Sequence, residues 1–156
     1  LGVIEARMSA RAGRLVSTWR VTPAFGEAPD AHRISVDLRR MLDGSLDVHE
    51  RLARRETGYV GGRDAPAPRV VVVPDASSSA TVIEVRAADS PALLYRLLHA
   101  VAGLGARVRA AKVSTLGADV VDVFYLVGAD AQPLPVGVQR RLRDELILAA
   151  AVPPGR

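Results

Sequence analysis

Cysteine is absent from all 156 residues, and with it go disulfide frameworks, thiolate metal sites, iron–sulfur clusters and cysteine nucleophiles. The absence fits a reducing compartment, and a cytoplasmic location is expected. Aromatic residues make up 4% of the chain, too few for the stacking platforms that hold single-stranded nucleic acid. Lysine occurs once, at Lys112, so the pI of about 10.3 reflects arginine's high pKa more than a large excess of positive charge. Residues 1–65 carry eleven arginines against nine acids, and residues 66–156 carry ten basic residues against eight acids. Each half is thus +2 and neither holds a basic block, so no nucleic-acid partner is expected. No apolar run approaches the ~18–20 residues of a membrane span, so no membrane association is expected. The opening Leu1-Gly2-Val3-Ile4-Glu5-Ala6-Arg7 lacks both a signal-peptide layout and an initiating methionine, and a fragment or processed piece is expected.

What remains is ordinary globular material. Hydrophobic residues are 49% and charged residues 24%, enough apolar surface for a chain of this size to fold without staples.

The chain matches itself at an offset of 105 residues. Val3 falls on Val108, Ala6 on Ala111, Met8 on Val113, Ser9 on Ser114, Val16 on Val121, Trp19 on Phe124 and Val21 on Leu126. Small residues fall on small and large apolar ones on large, without a gap, which predicts two related units. The second unit has a strand-like and a helix-like run ahead of the match. The first has two residues, so the chain is expected to begin inside its first copy.

In the second unit, spanning 80–150, Thr81 to Ala87 is β-branched with Ile83, Val85 and Ala87 alternating, and reads as a strand. Asp89-Ser90-Pro91 reads as an N-cap with proline at the first helical position. Leu93, Leu94, Leu97, Leu98, Val101 and Leu104 recur at helical spacing, with Arg96 and His99 on the other side and Gly105 where a C-terminal cap belongs. Val108–Thr115 and Val120–Val127 read as a hairpin around Leu116–Asp119, with a bulge suggested where the apolar residues step from Val108 to Ala111. Pro135 opens a second helix, with Val138, Leu142, Leu146 and Ala149 inward.

The first unit, spanning 1–74, reads as strands over 3–9 and 15–22, helices over 31–55, a linker over 56–68 and a strand over 69–74. Gly44 breaks its helical stretch and leaves Ser45 to cap the second piece. By order the strand at 69–74 ends the first copy. Its usual partner is missing, so its pairing is left open, elsewhere in the chain or across a dimer. The fold class is α+β: ferredoxin-like βαββαβ units, an antiparallel sheet with helices on one face, the first copy incomplete.

The run from Thr81 to Leu97 resembles the start of an ACT domain, a ferredoxin-like module that binds small effectors. Ala111-Lys112-Val113-Ser114-Thr115-Leu116-Gly117 followed by Val121-Asp122-Val123-Phe124-Tyr125 is similar to the last ACT domain of the bacterial PII uridylyltransferase and uridylyl-removing family. The Pro68-Arg69-Val70 run, a Ser-rich turn and the Thr81 strand match how that family joins its two ACT domains. The match is specific over 69–127 and looser over 3–55. The many arginines and alanines beside a single lysine suggest a GC-rich, actinobacterial source, a lineage in which the resemblance implies adenylylation of PII instead.

The resemblance implies a regulatory, glutamine-sensing role within a longer nucleotidyltransferase. Its ligand would be glutamine or another small amino acid, and its neighbours the parent's catalytic domains, PII through the parent, and a second copy in a homodimer. It implies magnesium for the parent's transferase and no cofactor for this stretch. The family's Gly-Ser pair is followed by Asp-x-Asp; here Gly44-Ser45 is followed by none, and the pair reads as a helix break. His32, His49 and His99 lack the adjacent aspartate of an HD centre and any metal spacing, and no serine elbow, Walker or dinucleotide glycine pattern occurs. The stretch is therefore expected to lack catalysis.

The expected binding site is the loop of Asp89, Ser90, Ala92, Leu93 and Leu94. Backbone N–H groups at a helix N-terminus suit a ligand carboxylate, and Asp89 suits its ammonium. The resemblance adds the second strand of the neighbouring copy, nominating Lys112 and Ser114, or their counterparts Arg7 and Ser9. Where the family has glycine after the loop proline this chain has Ala92, whose methyl is expected to narrow or close the pocket. Trp19 and Phe124 are expected in the core. The rival readings are a structural dimerisation module with no effector and an RNA-binding ferredoxin-like module. The second is disfavoured because Phe124 and Tyr125 face opposite ways, leaving at most one to stack.

Overall fold

The computed structural model describes residues 2–11, 14–23, 27–28, 30–56 and 66–151. Residues 57–65 of the expected linker lie outside the described residues. The elements in order are β1 (Gly2–Arg11), β2 (Arg14–Thr22), α1 (Ala31–Leu42), α2 (Val48–Glu56), β3 (Arg69–Val73), β4 (Thr81–Ala88), α3 (Leu93–Gly103), β5 (Arg107–Leu116), β6 (Asp119–Val127) and α4 (Val136–Ala150). The strands form one six-stranded sheet ordered β2-β1-β5-β6-β4-β3, antiparallel at every pairing.

The internal repeat is reproduced in the hydrogen-bond register. Ala6 pairs with Trp19 in the first hairpin, and Ala111 with Phe124 in the second, both displaced by the offset seen in the sequence. Each hairpin has a register shift at the same place, between Val3 and Glu5 in β1 and between Val108 and Ala110 in β5. The expected bulge is therefore present twice. The hairpins then join edge to edge through β1 and β5, where Glu5 faces Ser114, Arg7 faces Lys112 and Ser9 faces Ala110. Arg7 and Lys112 are repeat counterparts, so a local twofold axis passes through that pair.

Strands β5-β6-β4-β3 with α3 and α4 make the second, ferredoxin-like unit. Strand β3 lies antiparallel against β4, with Val70 opposite Val85 and Val72 opposite Ile83. That answers the pairing the sequence left open: β3 fills the outer position beside β4. Alternate residues of β4 and β6 face the helices, so Ile83, Val85, Phe124 and Leu126 are buried against Leu97, Val101, Leu142 and Leu146. Each such side chain contributes roughly 1.5–3 kcal/mol by leaving water. The Thr81 hydroxyl accepts the Leu134 N–H at 2.8 Å and ties the loop before α4 to β4.

Two expected caps are corrected. Helix α3 begins at Leu93, two residues beyond Pro91, and its N-cap Ala92 is left-handed, φ 58° and ψ 11°, with no side-chain cap bond. Ser90 does not cap: its hydroxyl accepts from Arg96, and the chain turns with Leu93 N–H donating to Ser90 C=O at 3.2 Å. In the first unit Asp47, not Ser45, caps α2, accepting the Glu50 N–H at 2.9 Å, while the Ser45 hydroxyl donates to Arg40 C=O. The end of α3 agrees with expectation. Gly105 takes φ 71°, its N–H donates to Ala102 C=O, and Ala106 N–H donates to Val101 C=O, closing the last turn as a Schellman motif.

The first unit is barer. Helix α1 starts at the Asp30 cap, buries no residue, and leaves Ile34, Leu38 and Leu42 exposed. An Asp37–Arg51 ion pair at 2.9 Å joins α1 to α2. Trp19 is 43% exposed, whereas its repeat counterpart Phe124 is fully buried. The core expectation holds for Phe124 and is corrected for Trp19: no described helix covers β2 as α3 and α4 cover β6.

Candidate functional site

A cavity of about 540 Å³ opens at the carboxyl end of β4, within the roughly 300–1,000 Å³ common for small-molecule sites. Its walls are the loop from Asp89 to Tyr95, the β5–β6 hairpin, and the first residues of β1, Gly2 and Val3. Both repeats therefore contribute. The Asp89 N–H donates to Ala118 C=O at 2.7 Å, holding the loop to the hairpin, and the Thr115 hydroxyl donates to the Val3 carbonyl across the β1–β5 junction.

Arg96 fixes the loop from behind. Its Nε donates to the Ala149 carbonyl at 2.8 Å, Nη1 to the Pro91 carbonyl at 2.7 Å and Nη2 to the Ser90 hydroxyl at 2.9 Å. The sequence pattern placed Arg96 on the outer side of α3; the structure turns its guanidinium into a fork joining the loop to the end of α4.

Asp89, Ser90, Ala92, Leu93 and Leu94 line the cavity. Lys112 and Ser114 do not. On β5 the residues facing the helices are Ala111 and Val113, so by strand alternation Lys112 and Ser114 lie on the open face of the sheet. Arg7 and Ser9 share that face: Arg7 lies opposite Lys112 in the ladder and pairs with Glu5 at 3.0 Å. From the neighbouring repeat it is Gly2 and Val3 that reach the cavity. The Ala92 methyl does not close the cavity.

Sequence reasoning missed Asp122. It sits on β6 between Val120 and Phe124, all three facing the helices, and is 1% exposed. It lines the cavity, and its Oδ1 has no hydrogen-bond partner. Burial pushes its carboxyl up to about 7; the Ser114 backbone N–H opposes the shift and the nearby Asp89 adds to it. Burial likewise raises the Asp89 carboxyl, opposed by the Ser90 N–H. The readable signal was an aspartate in the inward parity of an otherwise apolar strand. With two carboxylates and no lysine, arginine or histidine among the described lining residues, the cavity is suited to a cationic group.

The residues around Gly44-Ser45 do not fit a magnesium site. The Asp43 carboxylate accepts the Ser45 N–H and Asp47 caps α2. Among the described residues no group of three or more acidic or histidine side chains is placed to hold a metal, and no helix is long and apolar enough to cross a membrane.

No family model matches the chain, and no solved structure does. Among curated proteins it is 48% identical over 138 residues to the bifunctional uridylyltransferase/uridylyl-removing enzyme of Streptomyces coelicolor, covering 85% of this chain and 16% of that protein. The enzyme of the same description from Mycobacterium tuberculosis is 30% identical over 167 residues, 97% of this chain and 20% of that protein. That of Azospirillum brasilense is 33% identical over 135 residues, 83% and 14% respectively. The chain thus spans a fifth or less of the length of these relatives. Over most of its own length it is homologous to the C-terminal region of the bacterial bifunctional uridylyltransferase/uridylyl-removing enzymes.

Proposed function

We propose that the chain is the amino-acid-sensing region of such an enzyme, binding glutamine in the cavity between its two repeats. Occupancy would favour removal of the nucleotide from PII over its attachment. The observation that supports this reading most is the cavity itself. It is sized for one small metabolite, bounded by a helix N-terminus and two carboxylates, and built from both repeats. A ligand touching both can shift their relation if it binds one arrangement better than the other. In this reading the region has no catalytic residues of its own. Magnesium and PII belong to the catalytic domains of the longer protein, which works in the cytoplasm as a homodimer. Isothermal titration of the folded chain with L-glutamine tests it: saturable heat at millimolar ligand or below supports the reading, and no heat removes it.

A second reading, a packing module without an effector, is favoured by the exposed Ile34, Leu38 and Leu42 of α1, which a second copy of the chain would cover. Light scattering with and without glutamine separates the two. A dimer indifferent to glutamine supports the second, and a glutamine-dependent change of mass or shape supports the first.

A further inference from the structure

The polar group hardest to explain by folding alone is the Asp122 carboxylate. It is buried on a central strand, faces the cavity, and has an oxygen without a partner. A buried carboxylate without a counter-charge is costly, and nothing in the architecture of β6 requires one between Val120 and Phe124. Resting on the glutamine reading above, we infer that Asp122 is the group that receives the ligand's ammonium, giving up its own proton to solvent as the ammonium arrives. The exchange balances: a carboxylic acid and an ammonium ion become a carboxylate–ammonium pair and one released proton.

The surroundings favour that exchange. From the loop after β4 the cavity receives Asp89, a second acid whose proximity disfavours the ionised form of Asp122 until a cation enters. From β5 it receives Val113 and Thr115, and from β1 Gly2 and Val3, none of which titrates in the physiological range. From α3 it receives Tyr95, stacked on His99 at 5.9 Å and near His49 of α2 at 6.2 Å. Among the described lining residues there is no lysine, arginine or histidine. An incoming ammonium is thus the cation the site calls for, and the Leu94 and Tyr95 N–H groups in the first turn of α3 would serve the ligand's other, anionic end.

Because Asp122 holds its proton up to about pH 7, glutamine must displace that proton at lower pH and need not at higher pH. The dissociation constant for L-glutamine is expected to fall about tenfold between pH 6 and pH 8. At pH 6 the apparent heat should differ between buffers of unequal ionisation enthalpy by close to one released proton per ligand, and at pH 8 by almost none. Glutaramate, which is glutamine without its amino group, should bind at least tenfold more weakly than glutamine. Asp122→Asn should weaken glutamine at least tenfold at pH 8 and flatten the pH dependence, with circular dichroism confirming the fold. Should that variant not fold, the buffer comparison on the unaltered chain decides alone. Equal affinity at pH 6 and pH 8 with buffer-independent heat would overturn the inference and leave the glutamine reading intact. No glutamine heat at any pH would remove both.

Discussion

Replacing Asp122 by asparagine should stabilise the folded chain, and by an amount that grows with pH. The carboxyl titrates near 3.8 when solvated and at about 7 in the fold. Below pH ~3 the carboxyl is protonated in both states and costs almost nothing through linkage. As pH rises the unfolded chain ionises first, so it binds fewer protons than the folded chain, and stability falls. Above about pH 7 both states are ionised and the penalty is complete. At 1.36 kcal/mol per unit, roughly three units give about 4 kcal/mol at pH 8 and about 2 kcal/mol at pH 5. Asparagine keeps the shape and the acceptor for the Ser114 N–H. Its amide hydrogens lack partners and offset part of the gain, but equally at every pH. The diagnostic is therefore the difference of about 2 kcal/mol between the two pH values. Urea unfolding of both proteins at pH 5, 6, 7 and 8 measures it directly. Parallel stability curves, with a constant gap from pH 5 to pH 8, would refute the argument that Asp122 is buried and proton-linked.

Three further outcomes follow from particular residues. Ala92→Gly should raise stability by about 0.5–1 kcal/mol, because the left-handed backbone at Ala92 costs roughly 1–2 kcal/mol with a Cβ and glycine returns about 0.4–1 kcal/mol of that in unfolded-chain entropy. Thermal melts check it, and a fall in midpoint would contradict the backbone geometry. Phe124→Ala should cost about 3–5 kcal/mol, while Trp19→Ala at the matching repeat position should cost about 1 kcal/mol or less, since Phe124 is buried and Trp19 is not. Equal losses in urea titrations would mean that β2 has a cover the described residues lack. Arg96→Met should cost about 2–3 kcal/mol through its lost charge-assisted hydrogen bonds and weaken glutamine as the loop at Ser90–Pro91 loses its anchor; unchanged affinity by calorimetry would show that the loop holds itself.

The repeat was the most legible part of the fold because it rests on side-chain size at successive positions, which strand pairing preserves. The offset that places Trp19 on Phe124 also places the two bulges on each other. Chain order, by contrast, misassigns neighbours when a strand pairs outside its own unit. Arg69–Val73 reads correctly as a strand, yet only the coordinates put it beside β4. Caps failed where a residue a turn or two away engages the hydroxyl. Ser90 is a good N-cap residue by type, but Arg96, six residues on, claims its hydroxyl. Of the nominated residues, the five from the loop line the cavity, where strand–loop–helix grammar puts them. Lys112 and Ser114 were carried over by motif, without regard to the parity that sends them to the open face, and the same parity would have picked out Asp122.

In the proposed reading, the junction between the repeats is what would let the cavity signal. Strand β1 meets β5 over a short ladder from Glu5–Ser114 to Ser9–Ala110, supplemented by the Thr115–Val3 hydrogen bond, and the residues just beyond that ladder, Gly2 and Val3, form a wall of the cavity. In the proposed reading a ligand that touches Gly2 and Val3 favours the paired arrangement, by about 2.7 kcal/mol at a hundredfold excess over its dissociation constant were it to bind that arrangement alone. That is more than one backbone hydrogen bond contributes net, about 0.5–1.5 kcal/mol. A pocket within one repeat would stabilise that repeat and tell its neighbour nothing. Lined by Gly2 and Val3 of the first repeat and by Val113, Thr115 and the loop from Asp89 of the second, this one would, in the proposed reading, convert occupancy into a constraint on how the two halves of the sheet meet.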